Sequence, residues 1–354
     1  MNLYHYAVVV GISRYPGVGN LEGPLVDAAD FCDWLTTDGG VSLENMRVAK
    51  SPDIAIAMDS PYDGRPIKRE IDRLLEMTNE KASDDIGSVK ERRAQSRLYL
   101  YVAGHGIMPS GGECALLLAD ARRGMYENFE LGVYADWYKK SGIFSELVIF
   151  ADCCRNWFPQ VPRSVVPFDD PAELGSRVYS LMGYAAGPGD PAYESVEAGV
   201  PADERRGYFT KAVLQGLRGA ASIDPDYQAI SSTTLTRYVN LAVQQSTAGK
   251  RIQQRVQMPE EPARPILFPS RQSSAVALQR PHKYEIRLRF PAGWSEPVEL
   301  LTNGGERLRY EGAPTPWVLS LPPGLYGVYI PGTWDTSGLA HPEFTVTGAR
   351  DVQL

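Results

Sequence analysis

Apolar positions along the chain have two textures. Over roughly the first three quarters, short solid runs alternate with stretches in which apolar residues recur every three or four positions. The runs are "HYAVVVGI" (5–12), residues 46–50, "RLYLYVAGHG" (97–106), "ELVIFAD" (146–152), "RVYSLMGYAA" (177–186) and "RPILF" (264–268). Runs of this length, β-branched or aromatic and ended by turn residues, suit strands buried on both faces. Between them, "VDAADFCDWL" sets Ala28, Phe31 and Leu35 on one helical face, and residues 64–77 and 130–140 read as further helices. "GYFTKAVLQGL" aligns Phe209, Val213 and Leu217, and "LTRYVNLA" aligns Leu235, Tyr238, Val239 and Ala242. Strands alternating with helices predict an α/β domain with a mostly parallel sheet and helices on both faces.

After residue 269 the texture changes. "PSRQSSAVALQRP" has the composition of a linker. Beyond it "YEIRLRF" alternates strictly, with Tyr284, Ile286, Leu288 and Phe290 on one face and Glu285, Arg287 and Arg289 on the other. "ELLTNGGERLRY" places an Asn-Gly turn between two strand-like runs, a hairpin signal. The predicted organisation is an α/β domain over 1–269, a linker over 270–282 and a small all-β sandwich over 283–354.

Composition narrows the function. Of 354 residues, 43% are hydrophobic and 22% charged, enough apolar material for a substantial core. The formal net charge of −7 argues against general nucleic-acid binding, which needs a basic face. No run of 18 apolar residues predicts a membrane span, and "MNLYHYAVVVGIS" reads as a first strand and not a secretory leader. Four cysteines (Cys32, Cys114, Cys153 and Cys154) in a chain read this way imply reduced thiols in a cytoplasm.

Chemistry concentrates where two strands end. "YVAGHG" carries His105 at the close of one run, and "ADCC" carries adjacent cysteines at the close of the next. Neighbouring parallel strands deliver their C-terminal ends to one edge of an open sheet, where ligands bind. A histidine there can take the proton of a thiol, which is a strong nucleophile only as thiolate. Core packing and a zinc site are the other readings of these residues. The zinc reading suffers from the absence of a Cys-x-x-Cys partner, and a bridge between adjacent cysteines is strained.

The order "YVAGHG", then "DCC" with Cys154 49 positions after His105, resembles the caspase-like cysteine peptidases, nearest the metacaspase and bacterial branch. In caspases the histidine precedes the cysteine of Gln-Ala-Cys-x-Gly by about 50 residues; metacaspase-like members have Asp-Ser-Cys. "VVVGISRYPG", "LEGPLVDAADF", "PGDPAYE" and "GYFTKAVLQGLRG" agree, so the resemblance covers about residues 4–268. It implies a six-stranded, mostly parallel caspase-like sheet, a Cys154–His105 dyad and cysteine endopeptidase activity. It further implies an oxyanion hole from the N–H groups of Gly106 and Cys154, with Cys153 in the Ser or Ala position. Asn156 departs from the glycine that caspases have there.

Specificity follows from charge. Asp152 stands at the motif position of the caspase glutamine, and Asp190 and Glu194 lie in the segment that borders the P1 pocket in the family. Carboxylates there attract arginine or lysine. Asp27 opens a helix and reads as a cap. Arg205 and Arg206, in the charged loop "VPADERRGYF", are candidates for activation cleavage. The expected partners are a protein or peptide substrate and an activating protein or protease, with no nucleic acid and no membrane. No cofactor or resident metal is expected, though Ca²⁺ activates part of the metacaspase group, and some bacterial relatives have roles in cell death or anti-phage defence. The competing reading is a catalytically silent caspase-like module that binds partners.

Overall fold

A computed structural model of the chain describes residues 3–51, 60–109, 113–169, 177–194, 206–224, 227, 229–248, 250, 252–259, 264–269, 284–302, 307–311, 316–321, 324–331, 339, 342–346 and 350–354. The chain divides into two units, residues 1–214 with 247–266 and residues 215–246 with 267–354. This division takes 215–246 away from the α/β unit, whereas the sequence pattern runs that domain to 269. The expected linker, 270–282, lies outside the described residues.

In chain order the first unit holds β1 (His5–Gly11), α1 (Pro24–Thr37), β2 (Met46–Lys50), α2 (Lys68–Ile86), α3 (Lys90–Arg93), β3 (Arg97–Ala103), β4 (Gly106–Pro109), β5 (Ala115–Leu117), β6 (Asn128–Glu130), α4 (Leu131–Ser141), β7 (Glu146–Asp152), β8 (Asn156–Phe158), β9 (Tyr179–Tyr184) and α5 (Tyr208–Gln215). Its central sheet runs β2-β1-β3-β7-β9, parallel throughout. β1 and β3 are buried along their whole length, which is why their runs are solidly apolar and do not alternate.

The two faces are covered by different helices. Tyr6, Val8 and Val10 share a core with Ile71 and Leu75 of α2 and with Leu131, Tyr134 and Tyr138 of α4. On the other face Phe31 of α1 stacks on Tyr101 with ring centroids 4.5 Å apart and meets Phe150 edge-on, while Trp34 meets Tyr99. Pro24 pre-sets the backbone angle of the first turn of α1, and the left-handed Gly142 closes α4.

Among the described residues the central sheet has five strands, where the resemblance implied six. The outer edge of β9 is occupied by backbone of 257–259: Tyr184 N–H donates to Gln257 O (2.8 Å), Gln257 N–H to Tyr184 O (3.1 Å) and Met182 N–H to Pro259 O (3.0 Å). Residues 264–268 therefore form no sixth parallel strand. Leu267–Phe268 (β11) pairs antiparallel with Ile230–Ser231 (β10), which precedes α6 (Ser232–Thr247). A second small sheet, β6-β5-β4-β8, grows from the end of β3.

The rest of the second unit is β12 (Tyr284–Arg289), β13 (Val298–Thr302), β14 (Arg307–Tyr310), β15 (Trp317–Leu321), β16 (Gly324–Tyr329), β17 (Glu343–Val346) and β18 (Arg350–Gln353). Sheets β15-β12-β18 and β14-β13-β16-β17 enclose one core that includes Ile286, Leu288, Val298, Leu300, Val328 and Phe344, the expected sandwich. The hairpin pairs Val298 with Tyr310 and Leu301 with Arg307; its turn residues lie outside the described ones.

Candidate active site

The site is built on strand register. β3 and β7 pair so that Ala103 lies opposite Asp152, and Gly104 N–H donates to Asp152 O at 3.2 Å. His105 and Cys154 each follow two residues later, so both leave the sheet at the same edge. Gly106 then lies flat on the Cys153–Cys154 loop. A Cβ there would fall 2.7 Å from Cys153 Sγ and within hard contact of the Cys154 carbonyl. Only glycine allows these two backbones to touch.

His105 is held on every side. Its N–H donates to Tyr15 Oη (3.0 Å), its carbonyl accepts from Leu117 N–H (2.8 Å), and Tyr15 Oη in turn donates to Leu117 O (3.1 Å). The Tyr15 and His105 rings lie 4.8 Å apart, and a Cβ at Gly104 would collide with Tyr15 Oη. His105 Nε2 sits 2.9 Å from Gly19 O. A carbonyl only accepts, so Nε2 carries the hydrogen and Nδ1 is left as the basic nitrogen. Burial lowers the imidazole pKa below its usual value, against the raising influence of the Gly19 carbonyl and the Glu194 charge, so the ring is neutral at neutral pH.

Cys154 is half-buried, and its sulfur faces the backbone of Ala192. Ala192 N–H donates to Sγ at 3.3 Å, and Sγ lies 3.6 Å from Ala192 O. Burial pushes this thiol up, with the Ala192 hydrogen bond pulling the other way and the charge of Asp152 adding to the rise. Ring and thiol thus share one edge of the sheet, each hydrogen-bonded to a different loop.

Three acids gather beside them. Asp152 is buried and accepts from Thr210 N–H (3.0 Å) and Thr210 Oγ1 (2.6 Å). Burial raises its carboxyl to about 6, opposed by the Thr210 bonds and assisted by Glu194. Asp27, 2% exposed, accepts from Gly207 N–H at 2.9 Å through Oδ2, and its Oδ1 has no hydrogen-bond partner among the described residues. Its carboxyl is pushed well up, first by burial and then by Asp152. Glu194 accepts from Gly23 N–H at 3.1 Å. Glycines make this crowding possible: a side chain at Gly207 would strike the Asp152 carboxylate.

The expectation that Asp27 caps α1 is corrected here. The N-cap is Gly23, no side chain caps that end, and the Asp27 carboxyl serves Gly207. Asp190, grouped with Asp152 in the sequence reading, has its carboxyl against Gly187 in the 187–190 turn, while its carbonyl accepts from Arg155 N–H. Arg206 pairs with Asp30 of α1 at 2.7 Å; Arg205 lies outside the described residues.

Sequence reasoning missed Tyr15, Gly19 and Arg155. Arg155 is buried directly after Cys154. Its guanidinium donates to Glu113 O (2.7 Å), Ala186 O (3.3 Å) and Gln257 Oε1 (2.5 Å) and lies over the Tyr184 ring at 4.5 Å. It ties the Cys153–Cys154 loop to three other segments. A charged residue next to a cysteine pair was the only signal available. Among the described residues no group of three or more His, Cys, Asp or Glu is arranged to hold a metal ion, and no helix is long and apolar enough to cross a membrane.

No family model matches the chain. A probable protease of a Desulfuromonadales bacterium is 27% identical over 244 residues, 62% of this chain and 26% of that protein. The chain therefore spans about a quarter of that relative's length. Among solved structures, caspase-1 from Spodoptera frugiperda matches with a TM-score of 0.47 at 13% identity, over 76% of this chain and 92% of its own. A Geobacter sulfurreducens protein matches with a TM-score of 0.39 at 11% identity, over 78% of this chain and 97% of its own.

Proposed function

We propose that the chain is a caspase-like cysteine endopeptidase that cleaves protein substrates after arginine or lysine. The observation that carries the reading is the register placing His105 and Cys154 two residues beyond the Ala103–Asp152 pair. His105 Nδ1 takes the Cys154 proton, the thiolate attacks the scissile carbonyl, and the imidazolium returns the proton to the leaving amine. Water then hydrolyses the thioester. The N–H groups of Gly106 and Cys154 receive the oxyanion; one such donor is typically worth ~3 kcal/mol in the transition state.

For catalysis Cys154 Sγ must exchange Ala192 for His105, which fits an enzyme that waits for substrate or an activator. The P1 side chain enters the acidic group. Asp27 Oδ1, buried with no hydrogen-bond partner among the described residues, supports a cationic P1 residue, because a guanidinium supplies donors to such an oxygen. Asp152 and Glu194 add charge, and the sequence candidate Asp190, whose carboxyl lies against Gly187, is the remaining acid assigned to the P1 pocket. Residues 283–354 serve as a recruiting or regulating domain of the cytoplasmic protein.

Incubation with a peptidyl-arginyl electrophile tests the reading. Expected is a covalent adduct on Cys154 by peptide mapping, no adduct in Cys154→Ala, and far slower labelling by the aspartyl analogue. Faster aspartyl labelling would overturn the specificity. No labelling with or without Ca²⁺, or after cleavage at Arg205 or Arg206 seen by intact mass, would leave the silent binding module.

A further inference from the structure

Two thiols outside the proposed chemistry lie against the nucleophile loop. Cys114 is fully buried and Cys153 is 2% exposed, and their sulfurs are 3.5 Å apart. Both are free. Each hangs on an element with a duty at the site. Cys114 leads into β5, whose Leu117 N–H holds the His105 carbonyl. Cys153 shares a peptide with Cys154, and its Cβ and Sγ occupy the space that a side chain at Gly106 would need. Two residues 39 positions apart are thus brought to within a short slide of a covalent bond, inside the core that also holds Ile107, Leu116 and Tyr184.

We propose that Cys114 and Cys153 are an oxidisable dithiol, a modification site one residue from the nucleophile at which a hydroperoxide installs a disulfide. The Sγ–Sγ bond forms and the O–O bond breaks. The thiols supply two electrons and two protons, and hydrogen peroxide leaves as two waters. Their burial excludes larger oxidants and keeps the pair reduced in a reducing compartment. Bonding requires the sulfurs to close from 3.5 Å to about 2.05 Å. That slide draws Cys153 off Gly106 and shifts the peptide carrying the Cys154 N–H. The consequence for reactivity rests on the proposed function; the disulfide itself does not.

Peptide mapping after hydrogen peroxide treatment, thiol blocking and non-reducing digestion tests the site. Expected is a Cys114–Cys153 cross-linked peptide, lighter by two hydrogens and reversed by dithiothreitol, in the natural chain and equally in Cys154→Ala. Absence of that peptide in both proteins overturns the proposal. Arginyl-electrophile labelling of Cys154 should fall about 10- to 100-fold on oxidation, the scale of a displacement near 1 Å, and recover with dithiothreitol. Cys114→Ala should label at the original rate and lose the reversible response; Cys114→Ser replaces it if the alanine variant fails to fold. A cross-link that leaves labelling unchanged sinks the effect on the site. A cross-link in a protein that never labels sinks the protease reading and leaves the dithiol standing.

Discussion

Tyr15 and Asp152 carry the most at the scale of single residues. Tyr15→Phe keeps the ring beside His105 but removes the Oη that joins His105 N–H to Leu117 O. The buried Leu117 carbonyl and the part-buried His105 N–H lose this partner, which costs about 1–3 kcal/mol. The variant should melt earlier and alkylate more slowly at Cys154, with the His105→Ala variant as the lower limit. Asp152 makes a pH prediction. Burial raises its folded pKa from 3.8 to about 6, so between these values the folded state binds more protons than the unfolded. The stability this group contributes is therefore greatest below its unfolded pKa and declines as pH rises through about 6. Thermal melts across that range should show Asp152→Asn declining less than the natural chain. The proposed arginyl cleavage predicts the opposite dependence, because in that reading a P1 cation needs the Asp152 carboxylate: kcat/KM should fall below about pH 6 with Asp152 present, and Asp152→Asn should be slow with that acid limb gone.

At the scale of elements, the strand ends were legible and their neighbours were not. His105 and Cys154 stand at the close of apolar runs, which the one-dimensional pattern marks directly. Asp27 was misread because an acid near a helix start satisfies the capping pattern, while its carboxyl goes instead to Gly207 of a distant loop. The contact of Gly106 with the Cys153–Cys154 backbone tests whether the two strand ends act together. Gly106→Ala forces the neighbouring loop aside, at a cost of about 1–3 kcal/mol as in overpacked cores. Cys154 labelling should drop by more than the loss in thermal stability would explain. Unchanged labelling would mean that the loop tolerates the shift.

For the whole molecule, the pattern predicted a boundary in 270–282, whereas contacts group 215–246 with the sandwich. Gln245 Nε2, for instance, donates to Glu343 O at 3.3 Å. If that grouping reflects folding, a chain ending at 269 strips 215–246 of its partners and melts below the full chain by differential scanning calorimetry. An equal melting temperature would put the folding boundary at the compositional one. The sixth strand failed for a related reason. "RPILF" has the composition of a central strand, but the β9 edge was already taken by 257–259, and composition carries no information about which segment reaches an edge first.

By itself the sequence determined the alternation of strands and helices, the all-β tail and the two chemical residues at strand ends. These follow from periodicity and from the apolar composition that burial on both faces demands. The tertiary structure alone decided that Gly19 O orients His105, that Arg155 anchors the Cys153–Cys154 loop, that Asp27 joins Asp152 and Glu194, and that Cys114 meets Cys153. Such pairings lie in loops and on separate elements. They are set by the packing of segments far apart in the chain, which leaves no period to read.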